Sequence, residues 1–126
     1  MAESEFGTVF SQLRQLLQPY EARLRLVHDR PDSYYLDTRH IMKNGKPLYF
    51  GSVQTRKNYV AFHLMPVYVT PALLDDISPA LKRRMQGKSC FNFVRPEAAL
   101  LEELGKLVRR GYDSYAGAGY VEELSP

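Results

Sequence analysis

The chain has 126 residues, a formal net charge of +3 and a sequence pI near 9.0, with 44% apolar and 25% charged side chains. That length suits one domain able to bury roughly two thirds of its unfolded surface, and the composition excludes a wholly disordered chain. No apolar run is long enough to span a bilayer, Met1-Ala2-Glu3-Ser4-Glu5 lacks the basic region of a secretory signal, and the single Cys90 cannot close an internal disulfide, so a soluble cytoplasmic protein is expected.

Between residues 5 and 18, Phe6, Val9, Phe10, Leu13, Leu16 and Leu17 recur at three- and four-residue spacing. This is one stripe of an amphipathic helix, with Ser4 as its N-cap and Pro19 as its stop. Residues 22–28 read as a strand, because Leu24, Leu26 and His28 alternate with Arg23, Arg25 and Val27. Residues 29–32 form a turn by composition, and residues 33–38, rich in aromatic and branched side chains, form a second strand. Asn44-Gly45 signals another tight turn.

Residues 47–54 and 59–65 are two strands joined by the polar loop Thr55-Arg56-Lys57-Asn58. A turn centred on Arg56-Lys57 pairs Val53 with Val60, Gly51 with Phe62 and Tyr49 with Leu64 on one apolar face. The other face then carries Phe50, Ser52 and Gln54 beside Tyr59, Ala61, His63 and Met65. That division survives a register shift of two residues but not of one.

Thr70-Pro71 and Ser78-Pro79 are helix starts, giving short helices over residues 71–77 and 79–86, the second closed by Gly87. Residues 89–94 form the last strand, with Phe91 and Phe93 on one side and Cys90 and Asn92 on the other. Residues 96–110 form the last helix, with Ala99, Leu100, Leu104, Leu107 and Val108 inward and Gly111 after it. Residues 1–4 and 112–126 are expected to be peripheral to a single domain spanning the chain. The fold class is α+β, with N- and C-terminal helices packed on an antiparallel sheet of four to five strands and short helices before the last strand.

Gly87-Lys88-Ser89 resembles part of a phosphate-binding loop, but that motif needs a glycine at position 82, which is Lys82, and a helix after the serine, where a strand follows. Nucleoside triphosphate binding is therefore excluded as a reading. The segments Gly45-Lys46-Pro47-Leu48-Tyr49-Phe50-Gly51, Lys57-Asn58-Tyr59-Val60-Ala61-Phe62-His63-Leu64 and Gly87-Lys88-Ser89-Cys90-Phe91-Asn92-Phe93 together resemble the YdhG-like family, small bacterial domains grouped with frataxin-like folds. The resemblance covers roughly residues 6–110 and implies a helix packed on an antiparallel sheet with a closing helix. Some relatives carry an iron-chaperone label, which for frataxin-type proteins rests on an acidic ridge along the first helix and strand. Here those elements carry Arg14, Arg23 and Arg25, so a metal chaperone is the disfavoured alternative.

The candidate site is the mixed sheet face: Tyr59, His63, Phe50 and Ser52, with Lys88 and Cys90 nearby. His63 has the chemistry of a general base or ligand, against the plainer reading of a half-buried amphipathic side chain. Cys90 is a nucleophile only as a thiolate, against the plainer reading of a small buried hydrophobe. A Cys90–His63 pair requires adjacent strands and matching faces. His28 and His40 lack metal-ligand spacing, and of the paired acids Asp75-Asp76, Glu102-Glu103 and Glu122-Glu123 the first two also read as exposed helix surface, so no metal site and no cofactor is expected. Lys88 and Arg84 with Ser89 form a possible anion site. The first functional expectation is a non-enzymatic module binding a small ligand or a protein. An enzyme of unassigned reaction using His63 with Cys90 or a tyrosine is the alternative. Tyr34, Tyr35, Tyr49, Tyr59 and Tyr68 suit a ligand groove or a homodimer interface, whereas nucleic acid and membrane are not expected partners.

Overall fold

The computed structural model describes residues 2–124, with side chains from residue 5 onward. Helix α1, Ala2–Leu17, buries Val9, Leu13 and Leu17 completely. Ser4 lies inside this helix rather than at its cap. Pro19 does not end helical structure but is accepted in the first turn of a 3-10 segment, Gln18–Arg23, which buries Tyr20. The strand expected from residue 22 therefore starts later, as β1, Arg25–Arg30. Asp29 and Arg30 belong to it because they pair with Tyr34 and Ser33, leaving only Pro31 and Asp32 for the turn.

The sheet is an antiparallel meander in sequence order: β1, β2 (Ser33–Ile41), β3 (Pro47–Thr55), β4 (Val60–Leu64) and β5 (Cys90–Phe93). The β3–β4 register differs by two residues from the expected one, pairing Gly51 with Leu64, Val53 with Phe62 and Thr55 with Val60. The turn is centred one residue later, on Lys57-Asn58, where the Arg56 amide donates to the Tyr59 carbonyl at 2.8 Å, and moving a turn by one residue moves the register by two. A slip of two keeps every side chain on its face, so Val53, Val60, Phe62 and Leu64 all remain fully buried.

A β-bulge changes the other half of β3. Leu36 pairs with Gly51, but its neighbour Asp37 pairs with Tyr49, which leaves Phe50 as an extra residue. That inserted residue reverses the alternation beyond it. Phe50 turns into the core, with ring centroids 6.1, 5.9 and 6.0 Å from those of Tyr20, Tyr112 and Tyr115. Tyr49 turns out to the opposite face, so Phe50 is a core residue and not part of the candidate site.

Between β4 and β5 lie helix α2 (Pro66–Val69), a 3-10 turn (Pro71–Leu74) and helix α3 (Pro79–Lys82). Ser78 caps α3 as expected, its Oγ accepting from the Leu81 amide at 3.1 Å. Glu103 of the last helix holds Ser78 in turn, accepting from its amide and its hydroxyl at 2.6 Å each. Helix α3 stops four residues short of Gln86 because the following backbone is bonded to the edge of β5. The Asn92 amide donates to the Arg84 carbonyl, the Gln86 amide donates to the Cys90 carbonyl, and Met85 bridges Phe91. Gly87, at φ +80°, thus turns a short ladder instead of capping a helix.

Helix α4, Ala98–Gly117, extends seven residues beyond the expected end at Arg110. Gly111 is not a stop but a packing notch: a Cβ there would lie 3.0 Å from Cβ of Pro66 on α2. The next turns bring Tyr112 and Tyr115, 0% and 1% exposed, into the core, so part of the segment expected to be peripheral is central to it. The Tyr115 hydroxyl donates to the Tyr49 carbonyl at 2.9 Å, fixing α4 to β3. At the other end Ala99 is exposed, and Leu101 takes the inward place assigned to it. Helix α1 packs on β3 and β4 and against α4, so the core lies between one sheet face and these two helices. Among the described residues no helix is long and apolar enough to cross a membrane.

Candidate functional site

The sheet face turned away from α1 and α4 is assembled by register. His28 pairs with Tyr35, Tyr35 with Ser52, Ser52 with His63, and His63 with Cys90. One row of side chains therefore crosses all five strands. A second row, Ser33, Gln54, Ala61 and Asn92, runs beside it across four of them. Because successive residues of a strand alternate between faces, both rows lie opposite the buried Val53, Phe62 and Phe91.

Small side chains make the floor: Ser52 is 1% exposed and Ala61 is 2% exposed. Tyr35, Tyr49, Gln54, His63, Cys90 and Asn92 are half-buried around them. The Tyr35 and Tyr49 rings stack at 4.7 Å and 19°, and the Tyr49 and Ser52 hydroxyls share a hydrogen bond. The bulge makes that bond possible by putting residues three apart on one face. His28 continues the cluster, its ring 5.5 Å from Tyr35 and its Nδ1 3.2 Å from the Ser33 hydroxyl. At the far edge the Cys90 thiol donates to Asn92 Oδ1 at 3.2 Å. Arg56, from the β3–β4 loop, donates to Gln54 Oε1 at 2.6 Å.

The electrostatics of this face run in one direction. Burial raises the pKa of Tyr35, Asp37, Tyr49 and Cys90 and lowers that of His63. Each shift favours the uncharged form, as desolvation demands. Arg56 reinforces the effect at His63 and opposes it at Cys90, where burial still prevails. Arg25 likewise only moderates the rise at Asp37. Tyr35, Tyr49, His63 and Cys90 are thus held toward their uncharged forms, with Asp37, Arg25 and Arg56 as the charged groups acting on this face.

Of the residues expected at the site, Ser52, His63 and Cys90 come together. Phe50 is replaced by Tyr49 through the bulge. Tyr59 lies in the loop before β4, its carbonyl closing that loop. Lys88 is exposed and points elsewhere, its Nζ 6.0 Å from the centroid of Tyr68. The Lys88–Arg84–Ser89 anion site does not form, because both Arg84 Nε and Nη2 donate to the Glu97 carboxylate, at 2.8 and 2.6 Å. That bidentate pair lowers the pKa of Glu97 and raises that of Arg84.

His63 and Cys90 meet the adjacency and face requirements of a nucleophile–base pair, yet among the described residues no hydrogen bond joins them. A raised thiol pKa is the opposite of what an activated cysteine needs. No group of three or more His, Cys, Asp or Glu side chains that could hold a metal ion occurs among the described residues. Glu103 is occupied in capping α3, and Glu102 pairs with Lys106 at 3.8 Å. Tyr35 and Tyr49 were visible in the sequence as strand tyrosines, but only the bulge puts them on one face with Ser52. No protein-family model, curated protein or solved structure matches this chain.

Proposed function

We propose that the chain is a non-enzymatic binding module that takes a small uncharged ligand on the face formed by Tyr35, Tyr49, Ser52, His63, Cys90 and Asn92. The observation that carries this reading is the uninterrupted row from His28 to Cys90, in which burial pushes Tyr35, His63 and Cys90, with neighbouring Tyr49, toward their uncharged forms. A surface rich in hydroxyl, imidazole, thiol and amide groups matches a neutral ligand that offers both donors and acceptors. Tyrosine rings beside it supply apolar contact at small entropic cost. The order of elements, helix, antiparallel strands, short helices, Gly-Lys strand and closing helix, supports the YdhG-like resemblance at the level of fold.

An NMR screen with matched sets of neutral, anionic and cationic fragments tests this reading. Neutral fragments are expected to dominate the hits and to shift the amides of Ser52, His63 and Cys90. Hits that are mainly charged, or shifts that cluster away from this face, overturn it. A second copy of the chain is the competing occupant, and association in sedimentation equilibrium at micromolar concentration, abolished by a Tyr35→Lys change, would favour it.

The enzymatic reading retains one specific observation in its favour, the direct pairing of His63 with Cys90 across β4 and β5. It requires the thiol to leave Asn92 and turn to the imidazole when a substrate arrives.

A further inference from the structure

A separate cleft lies beside the β5 edge of the sheet, where α2, the 3-10 turn and the Gly87 turn converge. Its volume is about 380 Å³, and it is lined by Val67, Tyr68, Pro71, Leu74, Met85 and Gly87, with Lys82 and Lys88. Val67 is 1% exposed and forms the floor. Leu74 and Met85 are half-buried, while Tyr68, 53% exposed, stands as a wall. The lining is therefore almost wholly apolar except for its two ammonium groups. Met85 adds an unbranched, adaptable side chain suited to a flexible occupant.

The placement of the two lysines is the informative part. Both are exposed, and among the described residues neither enters an ion pair, whereas Arg84 nearby is saturated by Glu97. Lys88 is drawn only toward the Tyr68 ring, at 6.0 Å, a distance at the limit of a cation–π contact. The local acids, Asp75 and Asp76, follow the 3-10 turn and do not line the cleft. A pocket of this volume falls in the range of about 300–1,000 Å³ typical of small-molecule sites, which are mostly apolar with a few placed polar groups. An apolar trough with two uncompensated cations calls for an apolar chain ending in an anion.

We propose that this cleft binds an alkyl carboxylate of medium chain length, its tail over Val67, Pro71, Leu74 and Met85 and its carboxylate between Lys82 and Lys88. The site is separate from the sheet face described above and does not depend on it.

Titration of the intact chain with sodium hexanoate, octanoate and decanoate, followed by NMR, tests the proposal against the 1-alkanols of equal length. Affinity is expected to rise about fourfold per added methylene, the equivalent of about 0.8 kcal/mol for each buried group. The alkanols are expected to bind more weakly. Lys82→Gln and Lys88→Gln are each expected to lower carboxylate affinity about fivefold, as an exposed ion pair would, and to leave alkanol affinity unchanged. Shifts should centre on Tyr68, Leu74 and Met85. The proposal is overturned if decanoate fails to bind at millimolar concentration, if alkanols bind as tightly as carboxylates, or if the shifts map to Tyr35, Ser52 and His63. Surface lysine changes leave the core untouched, and an unchanged thermal midpoint confirms that each variant is folded.

Discussion

His63 and Cys90 face one another as register partners on β4 and β5, but the thiol donates to Asn92 Oδ1 rather than to the imidazole. Burial holds the thiol in its protonated form. Alkylation by iodoacetamide at pH 7 is therefore expected to be slower than for free cysteine, and faster in guanidinium chloride than in buffer. A native rate equal to or above that of free cysteine would mean an activated thiolate and would favour the enzymatic reading.

The His63 imidazole, half-buried and close to Arg56, titrates below its ordinary value of 6.5. The unfolded chain takes up a proton near 6.5 that the folded chain still refuses, so stability falls as pH drops from about 6.5 through the folded pKa. Urea denaturation at several pH values should show this slope, flattened in His63→Gln. Glu97 acts at lower pH in the same sense: its carboxyl, bound by Arg84, is depressed below 4.5, so its contribution is present above 4.5 and lost as pH falls through the folded value. Glu97→Gln is expected to remove about 1 kcal/mol at neutral pH and none in strong acid. A His63→Gln profile as steep as the parent's between pH 7 and 5 would contradict the first of these assignments.

The bulge predicts opposite outcomes for neighbours. Phe50→Ala removes a fully buried ring packed on Tyr20, Tyr112 and Tyr115 and is expected to cost about 3–5 kcal/mol. Tyr49→Phe removes only a hydroxyl bonded to Ser52 and should cost about 1 kcal/mol. Equilibrium denaturation of the two variants checks the order. A larger loss at Tyr49 would mean that β3 has no bulge.

Two glycines are predicted to respond with opposite signs to alanine. A Cβ at Gly51 would meet the backbone carbonyl of His63 at 2.8 Å, and backbone in the centre of a sheet cannot yield cheaply. Gly51→Ala is expected to destabilise by about 2–3 kcal/mol. Gly117, the last residue of α4, has open space around it, and Gly117→Ala should stabilise by about 0.5 kcal/mol through helix propensity. Thermal denaturation separates the two, and a neutral Gly51→Ala would show that β3 and β4 are less tightly apposed than described.

Period-two alternation made most of the sheet legible. The apolar partners Val53, Val60, Phe62, Phe91 and Phe93 were recognisable, and the two-residue slip in the hairpin did no harm because faces repeat every second residue. The bulge was not legible, since an inserted residue leaves no local mark when aromatic side chains occupy both faces, as Tyr49 and Phe50 do. Gly111 misled for a related reason. A helix-stopping residue and a packing notch look alike until Pro66 is known to lie against it. The site was half visible: Ser52, His63 and Cys90 were named and Asn92 was placed on the side of Cys90, but Tyr49 joins them only through the bulge.

The position of Tyr112 and Tyr115 against Phe50 also governs when the molecule can fold. The meander pairs neighbours in the order of synthesis, so its hairpins can zip locally as the chain leaves the ribosome. Helix α1 can cover part of the sheet's apolar face early, but the rest stays open until α4 has emerged, because α4 brings Leu104, Leu107, Val108 and both tyrosines to complete the cover. A nascent chain halted before Tyr112 therefore displays Phe50 and its neighbours to whatever holdase or aggregate is at hand. The last helix acts as the clock of biogenesis, and translation must outrun its own hydrophobic exposure.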